Sequence, residues 1–254
     1  MAPARESSLE LLEVGTDLWE DALAALSDQD LTGLSTLPGW SRAHVVAHVA
    51  LNAVALTNLV TWARTGVVTP MYASPQARDA DIEALSLRPA AELREASARA
   101  ALGLREGLAA MPRRAWARKV RVRQGTEVEA TVIPWLRVRE VFLHALDLGS
   151  GVTDADLPEV FADLVVGDVV RQRSRVQGHP RLHLRADPGD ARWDIGAPGP
   201  EDPVVVGDVR ALAAYVSGRA ATLPLRRTDG AGADVDADAT GGAGFAPPEL
   251  PPWL

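Results

Sequence analysis

The first half of the chain repeats apolar residues with the period of α-helices. Residues 8–26 carry apolar side chains at intervals that fit one helix face, with acidic residues between them: Leu9, Leu12, Val14, Leu18, Leu23 and Leu26. The same period predicts helices over residues 41–64, which Ser41 would cap, and over residues 90–111. A fourth helix is predicted between Pro134 and Gly149. Four such helices favour an antiparallel bundle.

Two further elements complete this helical part. Residues 119–132 alternate around a Gln-Gly-Thr turn, which predicts a two-stranded hairpin. Residues 157–175 predict another helix, with Pro158 in its first turn. We therefore expect a first domain over residues 1–176.

The remaining residues, 177–254, show the shorter period of β-strands. Residues 181–186 and 192–195 flank a Pro-Gly-Asp turn and predict two paired strands. After a short apolar run, Asp208 is placed to cap a helix that ends at Gly218. The expected fold class is α+β, with a helical bundle followed by a small α/β domain.

The C-terminal region contains two segments of unusual composition. Residues 229–244 are rich in glycine, alanine and aspartate, which predicts a flexible loop. The proline-rich tail over residues 247–254 is stiff and ends in Trp253 and Leu254. We expect that this tail can dock on the protein.

Composition narrows the classes of function. The chain has 254 residues, a formal net charge of −8 and no cysteine. An acidic surface argues against nucleic acid as the main partner, and the lack of cysteine excludes disulfides and cysteine-based zinc sites. The N-terminus has no signal-peptide pattern, and the apolar stretch over residues 45–60 is too short and too polar to span a bilayer. We expect a cytoplasmic enzyme without a membrane partner, as a monomer or a weak homo-oligomer.

A carboxylate and an imidazole in the predicted fourth helix carry the candidate chemistry. Glu140 and His144 are four residues apart, so their side chains lie on one face of the helix. With a third ligand they would form a His₂Glu set, which suits a catalytic zinc. Spacing alone allows either His48 or His44 as that ligand. It also allows a plain Glu–His charge pair, and Asp147 could orient a ligand imidazole or cap the helix.

Two segments resemble the mycothiol-dependent maleylpyruvate isomerase family, which belongs to the DinB-like group of metal-binding four-helix bundles. They are residues 37–50, LPGWSRAHVVAHVA, and residues 137–149, RVREVFLHALDLG. The small C-terminal α/β domain and the Pro-Pro-Trp-Leu tail agree with that family as well.

The resemblance implies specific roles for individual residues. It assigns the zinc ligands to His48, Glu140 and His144, and thereby favours His48 over His44. It also implies that Arg219 lies near the active site. From the sequence alone, Arg219 is equally well interpreted as a cation that stabilises a helix C-terminus.

The family resemblance implies a thiol-dependent isomerase. A zinc-activated external thiol, mycothiol, would add to the cis double bond of maleylpyruvate or a similar unsaturated dicarboxylate and leave after rotation. A borrowed thiol fits a chain without cysteine. One alternative is a mycothiol (low-molecular-weight thiol) S-transferase, and another is a non-catalytic metal-binding regulatory protein. The expected partners are a small-molecule substrate and a low-molecular-weight thiol.

Overall fold

The computed structural model describes residues 3–176, 178, 180–228 and 247–250. This part of the chain divides into two compact units, with the boundary between Val152 and Thr153. The first unit is mainly helical, and the second combines helices with a four-stranded sheet. The predicted α+β class is confirmed. The loop predicted over residues 229–244 lies outside the described residues.

The first unit is a helical bundle with one hairpin. Its elements are α1 (Arg5–Ala24), α2 (Arg42–Thr65), α3 (Pro75–Ser86), α4 (Ala90–Ala109), β1 (Lys119–Arg121), β2 (Glu127–Glu129) and α5 (Ile133–Asp147). Helix α2 packs against α3, α4 and α5, and α1 packs against α5. Strands β1 and β2 pair antiparallel, as predicted. The four long helices α1, α2, α4 and α5 are those that the apolar periodicity predicts.

Helix α2 forms the centre of this bundle. The Ser41 hydroxyl caps its N-terminus by accepting from the backbone N–H of His44, and Gly66 follows its end in a left-handed conformation with φ of 81°. The helix has the length and hydropathy of a membrane span, yet 72% of its most apolar 18-residue stretch is buried inside the protein. This burial is what a core helix of a bundle requires.

Helix α1 joins the bundle through two close contacts. The indole N–H of Trp19 donates to the hydroxyl of Ser97 on α4 over 3.1 Å in the buried interior. At Gly15 a Cβ would lie 2.7 Å from the side chain of Val141 on α5. Glycine therefore allows α1 and α5 to approach closely at this position.

Helix α3 is the α-helix of the first unit that the apolar periodicity does not predict. The Ser74 hydroxyl caps it by accepting from the backbone N–H of Ala77 over 3.0 Å, and Pro75 occupies its first turn. Only Ile82 and Ser86 are buried along the helix. Two buried positions in three turns leave too weak an apolar period to detect.

The second unit contains a mixed four-stranded sheet and two helices. Its elements are α6 (Glu159–Arg173), β3 (Leu182–Ala186), β4 (Arg192–Ile195), β5 (Val204–Gly207), α7 (Val209–Val216) and β6 (Leu225–Thr228). The strand order is β4-β3-β5-β6, in which only the central pair, β3 and β5, is parallel. The predicted antiparallel pairing of residues 181–186 with 192–195 is found as β3 and β4.

The boundary between the units differs from the one expected at residue 176. The helical period favours placing α6 in the bundle, but α6 packs against α7 and β4 of the second unit. Its buried face includes Phe161, Val165 and Val169. An apolar stripe shows that a helix has a partner without identifying that partner.

Part of the C-terminal tail contacts helix α7 of the second unit. The hydroxyl of Tyr215, on α7, donates to the backbone carbonyl of Pro248 over 2.6 Å. This contact agrees with the expected docking of the tail at that residue. Trp253 and Leu254, the two apolar residues of the prediction, lie outside the described residues.

Candidate metal centre

Three of the predicted site residues meet inside the first unit. The candidate ligand atoms of His48, Glu140 and His144 all lie within 4.8 Å of one another. Oε2 of Glu140 is 3.0 Å from Nε2 of His48 and 3.3 Å from Nε2 of His144. The two imidazoles stand edge to face, with ring centroids 4.8 Å apart. Both Nε2 atoms therefore converge on one carboxylate oxygen.

The helices explain this convergence. Glu140 and His144 are one turn apart on α5, and His48 lies on the neighbouring helix α2. The three side chains are only 16%, 14% and 10% exposed, respectively. Burial favours compact pairing of charges, because an isolated carboxylate at such a site would be costly.

Electrostatics favour the metal-binding protonation state of two candidate ligands, Glu140 and His48. Burial opposes the ionisation of Glu140, but hydrogen bonds to His144 and His48 hold the pKa of its carboxyl well below the ordinary value. Burial lowers the pKa of His48, although Glu140 acts in the opposite sense. An ionised carboxylate and a neutral imidazole are the forms that bind a metal ion.

Asp147 supports His144 from the same helix. Oδ2 of Asp147 accepts from Nδ1 of His144 over 2.8 Å, and the Asp147 side chain is fully buried. The hydroxyl of Thr36 donates to the other carboxylate oxygen, Oδ1, over 3.3 Å. Burial lowers the pKa of His144, but the hydrogen bonds to Asp147 and Glu140 outweigh it and raise that pKa. The Nδ1–H bond orients the ring so that Nε2 faces the cluster, as in many metal-binding histidines.

His44 has other partners. Its Nδ1 accepts from the backbone N–H of Ser41 over 3.3 Å within the N-terminal capping box of α2. Its Nε2 is 3.1 Å from Oε2 of Glu83 on α3. Both ring nitrogens are engaged away from the cluster, which gives a physical reason for favouring His48.

Two residues that contact His48, Trp40 and Arg78, are not predicted as site residues from the sequence. The Trp40 ring lies edge to face with the His48 ring at a centroid distance of 5.6 Å. Nη2 of Arg78, on α3, donates to Nδ1 of His48 over 3.2 Å. The signals that could have located α3, and Arg78 with it, are the capping Ser74 and the following Pro75.

Arg137 connects the two helices that carry the cluster. It lies on α5, and its Nη1 donates to the carbonyl of Val49 over 2.6 Å and to Oδ1 of Asn52 over 3.1 Å, both on α2. Burial lowers the pKa of Arg137 to about 10, while the charge of Glu140 opposes this effect. Arg137 therefore remains a cation at neutral pH and partly balances Glu140.

Arg219 belongs to the second unit and follows α7. Its Nη1 donates to the backbone carbonyl of Ser217 over 2.9 Å, at the C-terminal end of that helix. This is the interaction expected of a cation that stabilises a helix C-terminus. Its participation in a reaction remains a prediction.

The cluster has the chemistry of a zinc site. Two imidazoles and one carboxylate are the protein ligands of several catalytic zinc centres, in which a further position stays open. The shared orientation of both Nε2 atoms and the Asp147–His144 hydrogen bond fit such a centre.

Comparison with known proteins identifies the family. Residues 12–149, more than half of the chain, match a family described as "Mycothiol maleylpyruvate isomerase N-terminal domain". The chain is 31% identical to a protein solved as "Crystal structure of the mycothiol-dependent maleylpyruvate isomerase", with a TM-score of 0.87. The match covers 99% of this chain and 98% of that one. The structure of a histidine-to-alanine mutant of that enzyme gives the same values. Comparison with curated protein sequences finds no match. The chain therefore belongs to the mycothiol-dependent maleylpyruvate isomerase family.

Proposed function

We propose that the protein is a mycothiol-dependent cis–trans isomerase of maleylpyruvate or a similar unsaturated dicarboxylate. The observation that carries this proposal is the buried cluster of His48, Glu140 and His144 in a member of this family without cysteine. The near-complete match to a solved isomerase supports it. We further propose that the enzyme acts in the cytoplasm on small molecules.

The cluster would hold a zinc ion through Nε2 of His48, a carboxylate oxygen of Glu140 and Nε2 of His144. When bound, the ion supplies a Lewis acid that lowers the pKa of a coordinated thiol, so that the thiol is present as thiolate near neutral pH. Glu140 contributes one negative charge to the set, and Asp147 keeps the ring proton of His144 on Nδ1.

The proposed reaction leaves the composition of both partners unchanged. The thiolate sulfur bonds to one carbon of the cis double bond, and the π electrons move onto the conjugated carbonyl. Rotation about the resulting single bond is followed by cleavage of the C–S bond, which restores the double bond as trans and releases the thiolate. We propose that Arg219 binds a carboxylate of the substrate, because its planar guanidinium matches a carboxylate with two hydrogen bonds.

Steady-state isomerisation with and without mycothiol tests the proposal. We expect turnover only with the thiol, and a thiol concentration that stays constant during the reaction. Replacement of His48 by alanine should abolish activity, whereas the control variant His44→Ala should keep it. Equal turnover without thiol would reject the mechanism, and consumption of one thiol per product would assign the protein as an S-transferase instead.

A further inference from the structure

The first turn of α3 brings a cation against the candidate metal centre. Nη2 of Arg78 donates to Nδ1 of His48, and Nη1 donates to Oδ1 of Asp79 over 2.7 Å. The guanidinium carbon lies 5.8 Å from the centre of the Tyr72 ring. The Arg78 side chain is 14% exposed, and among the described residues its buried Nε has no hydrogen-bond partner.

This contact determines which nitrogen of His48 carries the ring hydrogen. A guanidinium has donors and no acceptor, so Nδ1 of His48 must accept through its lone pair. The hydrogen of the neutral ring is then on Nε2, which faces Oε2 of Glu140 at 3.0 Å. Nε2 cannot bind a metal ion in this tautomer, because its lone pair is not available.

A metal ion at the cluster requires the opposite tautomer. If Nε2 of His48 binds the ion, the ring hydrogen moves to Nδ1. The N–H of His48 and the N–H of Arg78 would then point at each other. The hydrogen bond between Arg78 and His48 and the coordination of a metal by Nε2 of His48 are therefore mutually exclusive.

The release of His48 would free one complete edge of the guanidinium. Nε and Nη2 of an arginine lie side by side and can donate two parallel hydrogen bonds to the two oxygens of a carboxylate. In Arg78 this edge consists of Nε, which has no hydrogen-bond partner in the described part of the chain, and of Nη2, which holds His48. The carboxylate of Asp79, which is largely exposed, binds Nη1 of Arg78 and therefore does not occupy this edge.

We propose that Arg78 exchanges His48 for a carboxylate of the substrate when the site binds its metal ion. Arg78 is thus a metal-dependent carboxylate-binding residue. This inference rests on the proposed function and adds a substrate-binding role to it. It also explains why a cation is placed next to a centre that itself gains positive charge from the metal.

Zinc titration tests the first half of the exchange. Isothermal titration in a buffer without carboxylates should show that Arg78→Gln binds zinc about tenfold more tightly than the unmodified protein, because a glutamine amide, unlike a guanidinium, can also accept a hydrogen bond from Nδ1–H of His48. The matched control is Arg88→Gln, since Arg88 is exposed and pairs with the nearby Glu92. Nitrogen NMR of the unmodified protein should show the His48 ring hydrogen on Nε2 without zinc and on Nδ1 with zinc.

Titration with maleate, a cis dicarboxylate, tests the second half. Zinc-loaded Arg78→Gln should bind maleate about 100-fold more weakly than Arg88→Gln, and Arg78→Lys should recover only part of the loss. Without zinc, Arg78→Gln and Arg88→Gln should bind maleate equally weakly. Equal zinc affinity and equal maleate affinity in Arg78→Gln and Arg88→Gln would overturn the inference. If Arg78→Gln fails to fold, the maleate affinity of zinc-loaded Arg78→Lys decides, because an ammonium lacks the two-donor edge, and an affinity equal to that of Arg88→Gln would overturn the inference.

These binding results do not depend on turnover. A protein that fails to isomerise maleylpyruvate would contradict the proposed function, and the zinc and maleate affinities would still decide the role of Arg78.

Discussion

At the scale of single residues, the partner of each ring nitrogen decides which histidine can bind a metal ion. Nδ1 of His144 is held by a carboxylate, which leaves its Nε2 directed at the cluster. Nδ1 of His48 is held by a cation, and both nitrogens of His44 are engaged elsewhere. The three histidines thus differ in which ring nitrogen is available to bind a metal ion.

The carboxylate behind His144 should be important for metal affinity. We expect Asp147→Asn to weaken zinc binding by roughly 10–100-fold, because the amide no longer fixes the ring as the carboxylate does. Glu83→Gln is the control, since Glu83 pairs with His44 outside the cluster. Zinc titration of both variants measures this difference, and equal affinities would contradict the assigned role of Asp147.

A second prediction at this scale concerns Arg219. Arg219→Ala should leave zinc affinity unchanged and lower kcat/KM by roughly 10²–10³-fold, because one charge-assisted contact to the reacting substrate is lost. Arg219→Lys should restore part of the activity. Arg181→Ala serves as the control, since Arg181 is exposed and pairs with Asp202. Full activity of Arg219→Ala would contradict a role in substrate binding and would leave Arg219 with a structural role, such as its contact with the carbonyl of Ser217.

The sequence predicted the residues of the cluster better than their surroundings. The spacing of Glu140 and His144 indicated a shared helix face, and the family resemblance favoured His48. Spacing could not exclude His44, because its engagement with Ser41 and Glu83 depends on the helix cap and on α3. Arg78 could not be predicted for the same reason, since it reaches the cluster from a helix without a clear apolar period.

At the scale of elements, the helices α2 and α5 must be held together for the cluster to exist. Arg137 does this with two buried hydrogen bonds beside the ligands. Arg137→Ala should lower the free energy of unfolding of the metal-free protein by about 3 kcal/mol, because it removes these two bonds and the buried cation that they hold near Glu140. Urea denaturation measures the change, with the exposed Arg105→Ala as control. A loss equal to that of the control would show that other contacts hold the two helices.

The second unit contains a testable helix cap. Oδ1 of Asp208 accepts from the backbone N–H and from Nε of Arg210, and these bonds lower the pKa of the carboxyl. Asp208→Ala should cost about 1 kcal/mol at neutral pH. Because the pKa is lower in the folded state, the contribution is complete above the unfolded value and is lost as the pH falls through the folded value. Urea denaturation of both proteins at neutral pH and near pH 3 checks this, and an equal difference at both pH values would contradict it.

Element boundaries were more predictable than element partners. Residues 41–64 were expected as a helix, and α2 covers Arg42–Thr65. Helix α6 was also expected, but its period could not reveal that it packs on α7. Strand β6 was missed because only Thr228 of its four residues is buried, so its alternation is faint.

At the scale of the whole molecule, stability should respond to metal supply. A ligand that binds only the folded state stabilises it by about 2.7 kcal/mol at 100 times its Kd. Zinc at that level should raise the Tm of the first unit by roughly 5–10 °C. Calorimetry with zinc and with a chelator measures the shift, and the shift should disappear in His48→Ala. A shift that persists in this variant would place the stabilising ion elsewhere.

The candidate ligands are far apart in the sequence, which affects how a bound metal ion would stabilise the fold. His48 and Glu140 are 92 residues apart along the chain and adjacent in the folded first unit. A metal ion that bonds both would act as a cross-link across a long loop, and the entropic benefit of a cross-link grows with loop length. The chain has no cysteine from which to build a covalent cross-link. The metal ion would be a reversible cross-link. A chelator that removes it would therefore destabilise this protein as a reductant destabilises a disulfide-bonded one.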